Sequence, residues 1–62
     1  MEQQLDVIRE MIQKKIPYKK VRTVWYITID VQDNIFYGAS GNNNKFFAVA
    51  KISPKGDVEI IR

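Results

Sequence analysis

Apolar residues follow two different periods along this chain. Met1, Leu5, Ile8, Ile12 and Ile16 recur at spacings of 4, 3, 4 and 4, the period of one face of a helix. The pattern predicts a helix over residues 2–15. Glu2 and Asp6 stand toward its start and Lys14 and Lys15 in its last turn, as the helix dipole prefers. Glu10 and Lys14 form an i,i+4 pair in the favourable order. Pro17 disfavours the α conformation at Ile16 and ends the helix there. Val7 and Met11 fall on the flank of the stripe and are expected to be partly exposed.

After Pro17 the period becomes two. "VRTVWYITIDV" (21–31) is dense in β-branched and aromatic residues and reads as a long strand. Asp33-Asn34 suits a two-residue hairpin turn, because Asn tolerates positive φ. "IFYGAS" (35–40) follows as a second strand, in which Gly38 marks a bulge or a close approach. "GNNN" (41–44) connects it to "KFFAVAKI" (45–52). "SPKG" (53–56) forms a further turn, and "DVEIIR" (57–62) is the last strand. Residues 1–62 thus make a single α+β domain: one N-terminal helix packed on a four-stranded antiparallel meander, in two layers. The order resembles that of PepSY-type and small cystatin-like domains, and "VAKISPKGDVEII" is similar to the closing hairpin of PepSY domains. The likeness covers about a dozen residues, and no function is carried over from it.

Pairing Ser53 with Asp57 sets Lys51 opposite Glu59, Ile52 opposite Val58, Val49 opposite Ile61 and Ala50 opposite Ile60. Pairing Ser40 with Lys45 sets Phe36 opposite Val49 and Gly38 opposite Phe47. One face then carries Ile35, Tyr37, Phe46, Ala48, Ala50, Ile52, Val58 and Ile60, whose alanines leave room for the helix. The other carries Trp25, Ile27, Ile29, Val31, Phe36, Phe47, Val49 and Ile61. A helix about 10–12 Å across covers only one face of strands spaced about 4.8 Å apart. A second apolar face has two readings. Either a bulge exchanges the faces, or another chain covers this one. Trp25, Ile27, Ile29, Phe36, Phe47, Val49 and Ile61 are therefore the expected oligomer or partner face.

Composition narrows the choices. The chain has 62 residues with no cysteine and no histidine. Disulfides and thiolate metal sites are excluded, together with the commonest metal ligand and general base. A core this small rarely supplies more than about 3–5 kcal/mol of net stability, so self-association is the remaining support. No segment approaches the roughly 20 apolar residues of a membrane helix. The acidic, amphipathic start is unlike a signal peptide, so the expected location is cytoplasmic.

The net charge of +3 is concentrated in one place. Lys14, Lys15, Lys19, Lys20 and Arg22 stand together with Tyr18 in a stretch from residue 11 to 29 that holds no acid. This segment is the candidate partner-binding corner. It suits an acidic protein surface. It also suits nucleic acid, with Tyr18, Trp25 and Tyr26 able to stack on bases, although no nucleic-acid-binding motif is present. "SGNNNK" joins two strands and matches no phosphate-loop pattern. It reads as a turn, though Asn side chains at an oligomer interface could hold a small anionic ligand. No cofactor is implied. For catalysis only Asp, Glu, Lys, Tyr and Ser remain, and Asp30, Asp33, Asp57 and Glu59 all lie beside turns. The expectation is a non-catalytic regulator, inhibitor or adaptor that binds a protein partner as a homo-oligomer.

Overall fold

The computed structural model describes residues 2–41 and 46–61. Helix α1 (Glu2–Lys15) is followed by strands β1 (Thr23–Ile29), β2 (Ile35–Ser40), β3 (Phe46–Ile52) and β4 (Val58–Ile61). The strands form one antiparallel sheet in the order β1-β2-β3-β4, and α1 lies against both β1 and β4. This is the two-layer α+β meander that the sequence predicts. Met1, the loop residues 42–45 with their asparagines, and Arg62 lie outside the described residues, as do the side chains of Glu2, Gln3, Gln4, Phe46 and Phe47.

The helical stripe sinks into the core toward its C-terminal end. Leu5 is exposed, Ile8 is half-buried, and Ile12 and Ile16 are buried. Val7 is exposed and Met11 half-buried, as expected. Glu10 does not engage Lys14; its carboxylate lies 2.9 Å from Nη2 of Arg9. The same guanidinium donates from Nη1 to the Val21 carbonyl at 3.2 Å. Below the helix lie Val21, Val24, Ala39, Ala48, Ala50 and Ile52, all buried. The alanines let the helix approach the sheet, and Tyr37, Val58 and Ile60 close the margins. Truncating a buried isoleucine such as Ile12 to alanine costs about 2–5 kcal/mol. That equals the whole net stability of a domain this small, roughly 3–5 kcal/mol.

The β3–β4 register matches expectation at every pair, from Ile52 opposite Val58 to Val49 opposite Ile61. Ser53 organises the turn, because Asp57 N–H donates to its Oγ at 3.1 Å and Gly56 N–H to its carbonyl at 2.9 Å. Gly56 has φ of +95°, a conformation that glycine alone adopts without strain. From Ile35 to Ala39 the β2–β3 register is two residues away from expectation, with Phe36 opposite Lys51 and Gly38 opposite Val49, and an irregularity between Ala39 and Ser40 then sets Ser40 opposite Phe46. A two-residue shift keeps each side chain on its face. It also sets Ala39 opposite Ala48 beneath the helix.

Strand β1 is shorter than the expected 21–31. Asp30 ends it. Its carboxylate accepts the N–H groups of Gln32 at 2.9 Å and Asn34 at 3.0 Å, and the Asn34 amide at 3.1 Å. The turn therefore runs from Asp30 to Asn34, with Asp33 at φ 67°, and is not a two-residue Asp33-Asn34 turn. Val31 sits exposed at its tip rather than on the open face. A bulge between Tyr26 and Thr28 then reverses the alternation, so Ile29 lies opposite Ile35 on the helix side. Ile29 thus leaves the face assigned from simple alternation, and Ile27 sits at the bulge itself.

Candidate functional site

The basic corner is a held structure. Ile16 N–H donates to the Ile12 carbonyl at 3.2 Å, closing the helix, and Lys19 N–H donates to the Ile16 carbonyl at 3.1 Å. Pro17 occupies the second position of that turn, where its fixed φ is preferred. Buried Ile16 and Val21 anchor the two ends of the segment. Between them the Gln13 side chain acts as a clamp. Its Nε2 donates to the carbonyls of Ile16 at 3.1 Å and Lys19 at 2.6 Å, and its Oε1 accepts the Val21 N–H at 2.8 Å. Arg9 Nη1 adds a bond to the Val21 carbonyl at 3.2 Å. With its backbone fixed this way, the segment presents Lys14, Lys15, Tyr18, Lys19, Lys20 and Arg22, all exposed. Ordering a loop before binding removes part of the entropy cost of association.

The open sheet face carries a second group of candidate residues. Trp25, Gly38, Val49 and Ile61 are successive register partners and form one row across all four strands. The Trp25 indole packs close against Gly38: a Cβ at position 38 would meet Cε2 and Cζ2 at 2.5 Å. Gly38 is thus a close-approach glycine, one of the two readings its sequence position allowed. The neighbouring row holds Thr28, Phe36, Lys51 and Glu59, with Lys51 Nζ 3.9 Å from Glu59 Oε1. Of the expected face, Trp25, Phe36, Val49 and Ile61 are together on this side. Ile27 and Ile29 are not, for the reason of the bulge, and the Phe47 side chain lies outside the described residues.

Comparison with family models, curated proteins and solved structures finds no match. The chemistry must be read from the two surfaces. Among the turn acids, Asp30 is held below its ordinary value of 3.8 chiefly by the backbone N–H of Asn34. Desolvation opposes this, while the Asn34 side chain, the Gln32 N–H and the charge of Lys51 assist it. Its lone pairs are engaged in the turn, which suits a structural anion rather than an acid or base. No described helix is long and apolar enough to cross a membrane.

Gln13 and Arg9 are the positions shaping the corner that residue patterns missed. The available signal was slight: a long amide on the flank of the stripe, four residues before the proline that ends the helix. Such a side chain has the reach to satisfy backbone groups in the reversal that follows.

Proposed function

We propose that this chain is a non-catalytic binding protein that takes an acidic protein surface at the corner formed by residues 14–22. The observation that carries the reading is the Gln13 clamp, which holds five cations and Tyr18 on an ordered backbone. Cations held on an ordered backbone lose less entropy on binding than those of a loose helix end. The open face favours protein over nucleic acid as the partner. Val49 and Ile61 are aliphatic and offer no stacking surface for bases. An apolar row with Trp25 at one end suits the centre of a protein contact, where aromatic residues are enriched and charges are few. The corner would steer the encounter, and the row would supply contact area. Such a protein acts as a regulator, inhibitor or adaptor.

The test is a Lys19→Glu/Lys20→Glu double variant, titrated against a labelled glutamate-rich peptide and a labelled oligonucleotide over a salt series. Both lysines are exposed, so the change should cost under about 0.5 kcal/mol of stability per site. Peptide binding should be abolished in the variant, with a shallow salt dependence in the wild type. Oligonucleotide binding with a slope near −0.9 per phosphate contacted, flattened by about 2 in the variant, would assign the corner to nucleic acid instead. Unchanged peptide binding would sink the reading.

A further inference from the structure

Strand β1 is an edge of the sheet, and it exposes apolar side chains on both of its faces. Trp25 is on the open face; Tyr26 (56% exposed) and Ile29 (47%) are on the helix side; Ile27 (44%) is at the bulge. A partner lying on one face would leave the other set in water. A strand added along the edge flanks both sets at once. The two edges of this sheet also differ. Strand β4 is only four residues long and carries exposed Glu59, which are usual protections against pairing. Strand β1 has seven residues, TVWYITI, without a charge or a proline.

We propose that β1 pairs antiparallel with β1 of a second copy, joining two sheets into one across a two-fold axis at Tyr26. Charge selects this occupant and this direction. Arg22 immediately precedes the strand and Asp30 immediately follows it. Antiparallel pairing brings each Arg22 toward the Asp30 end of the other copy, whereas parallel pairing would bring like charges together. The bulge is the one device on β1 that resists pairing, and this register absorbs it. With Ile27 left out of the ladder, Trp25 lies opposite Thr28 of the second copy and Val24 opposite its Ile29. In each pair both residues share a face. Tyr26 meets its own equivalent on the axis, as an isologous contact requires.

The pairing also has a consequence for binding. Because the strands run in opposite directions, the two basic corners sit at opposite ends of the joined strands. Seven residues at about 3.4 Å each separate them by about 24 Å along the strand direction. A dimer would present two corners to one extended or repeated partner, which raises avidity without any new contact. The pairing itself does not rest on the identity of that partner and is tested without one.

The chain has no cysteine, so single cysteines report proximity cleanly. Directly opposed residues of an antiparallel pair stand about 4.5–5.5 Å apart, within the span of a disulfide. Tyr26→Cys should give a disulfide-linked dimer under mild oxidation, and Lys55→Cys, in the exposed β3–β4 turn, should not. Light scattering should give a dimer mass for the wild type and for Val49→Lys. Ile27→Lys should weaken the dimer at least about tenfold by setting cations beside the axis, with its folded content checked by circular dichroism. A monomeric wild type in the high micromolar range would overturn the proposal. So would cross-linking of Tyr26→Cys no faster than of Lys55→Cys. Loss of the dimer in Val49→Lys alone would overturn it too, by moving the interface to the open face.

Discussion

Replacing Gln13 by alanine removes the clamp while leaving every charge in place. The side chain makes three hydrogen bonds, to the Ile16 and Lys19 carbonyls and from the Val21 N–H. Each such bond contributes about 1 kcal/mol net, and a buried donor left unsatisfied costs about 1–3 kcal/mol. Val21 is fully buried, so its N–H accounts for the larger share; the Lys19 carbonyl, in an exposed residue, can turn to water. Alanine returns a few tenths of a kcal/mol in helix propensity. The expected net loss is about 2 kcal/mol, close to half of the roughly 3–5 kcal/mol available to a domain of this size. Urea unfolding followed by the single tryptophan, Trp25, reads it directly. With a slope near 1 kcal/mol/M, the midpoint should fall by about 2 M. Lys15→Ala, exposed on the same turn, is the control and should stay within about 0.5 kcal/mol of wild type. If Gln13→Ala unfolds at the same urea concentration as Lys15→Ala, the clamp contributes no stability and the corner is not held by it.

Two further predictions concern the sheet and its first turn. Gly38→Ala drives a methyl group into the Trp25 ring; the indole should lift into water, shifting its emission to longer wavelength, at a cost of about 1 kcal/mol or somewhat more. Emission identical to wild type would contradict the close packing. The depressed pKa of Asp30 means that its contribution to stability is present above the ordinary value of 3.8 and fades as pH falls through the lower folded value. Asp30→Asn should therefore be less stable than wild type at neutral pH, and the difference should narrow on acidification. A gap that stays constant from neutral pH down to strong acid would rule this out.

The legible and illegible parts of the chain divide on physical grounds. The helix could be read because its stripe and Pro17 agree on where it ends. The sorting of the β2–β4 side chains into two faces could be read, because a two-residue register error leaves faces unchanged; which of the two faces the helix covers could not. A bulge was one of the two readings of the second apolar face, but its position could not be read. "WYITI" alternates without a break, and nothing in it marks Ile27 as the extra residue; Ile29 was misassigned by that single position. The strand end at Asp30 depended on a carboxylate folding back on two N–H groups, a local choice that competes with continued extension. The candidate corner was visible as charge, but the hydrogen bonds that hold its backbone were not, because a side-chain clamp has no period.

The clamp and the cations together make the central claim: an ordered basic corner that recognises an acidic protein surface. Residue-specific chemical-shift mapping tests it most directly, with the isotopically labelled chain titrated by a glutamate-rich peptide and, in parallel, by an oligonucleotide of equal charge. The expected result is saturable peptide-induced shifts confined to Lys14–Arg22 and the Trp25 indole, strongly weakened in Gln13→Ala although no charge has changed. Shifts scattered over all lysines, or a Gln13→Ala response equal to wild type, would mean that the corner attracts anions only as a solvated cluster of charge.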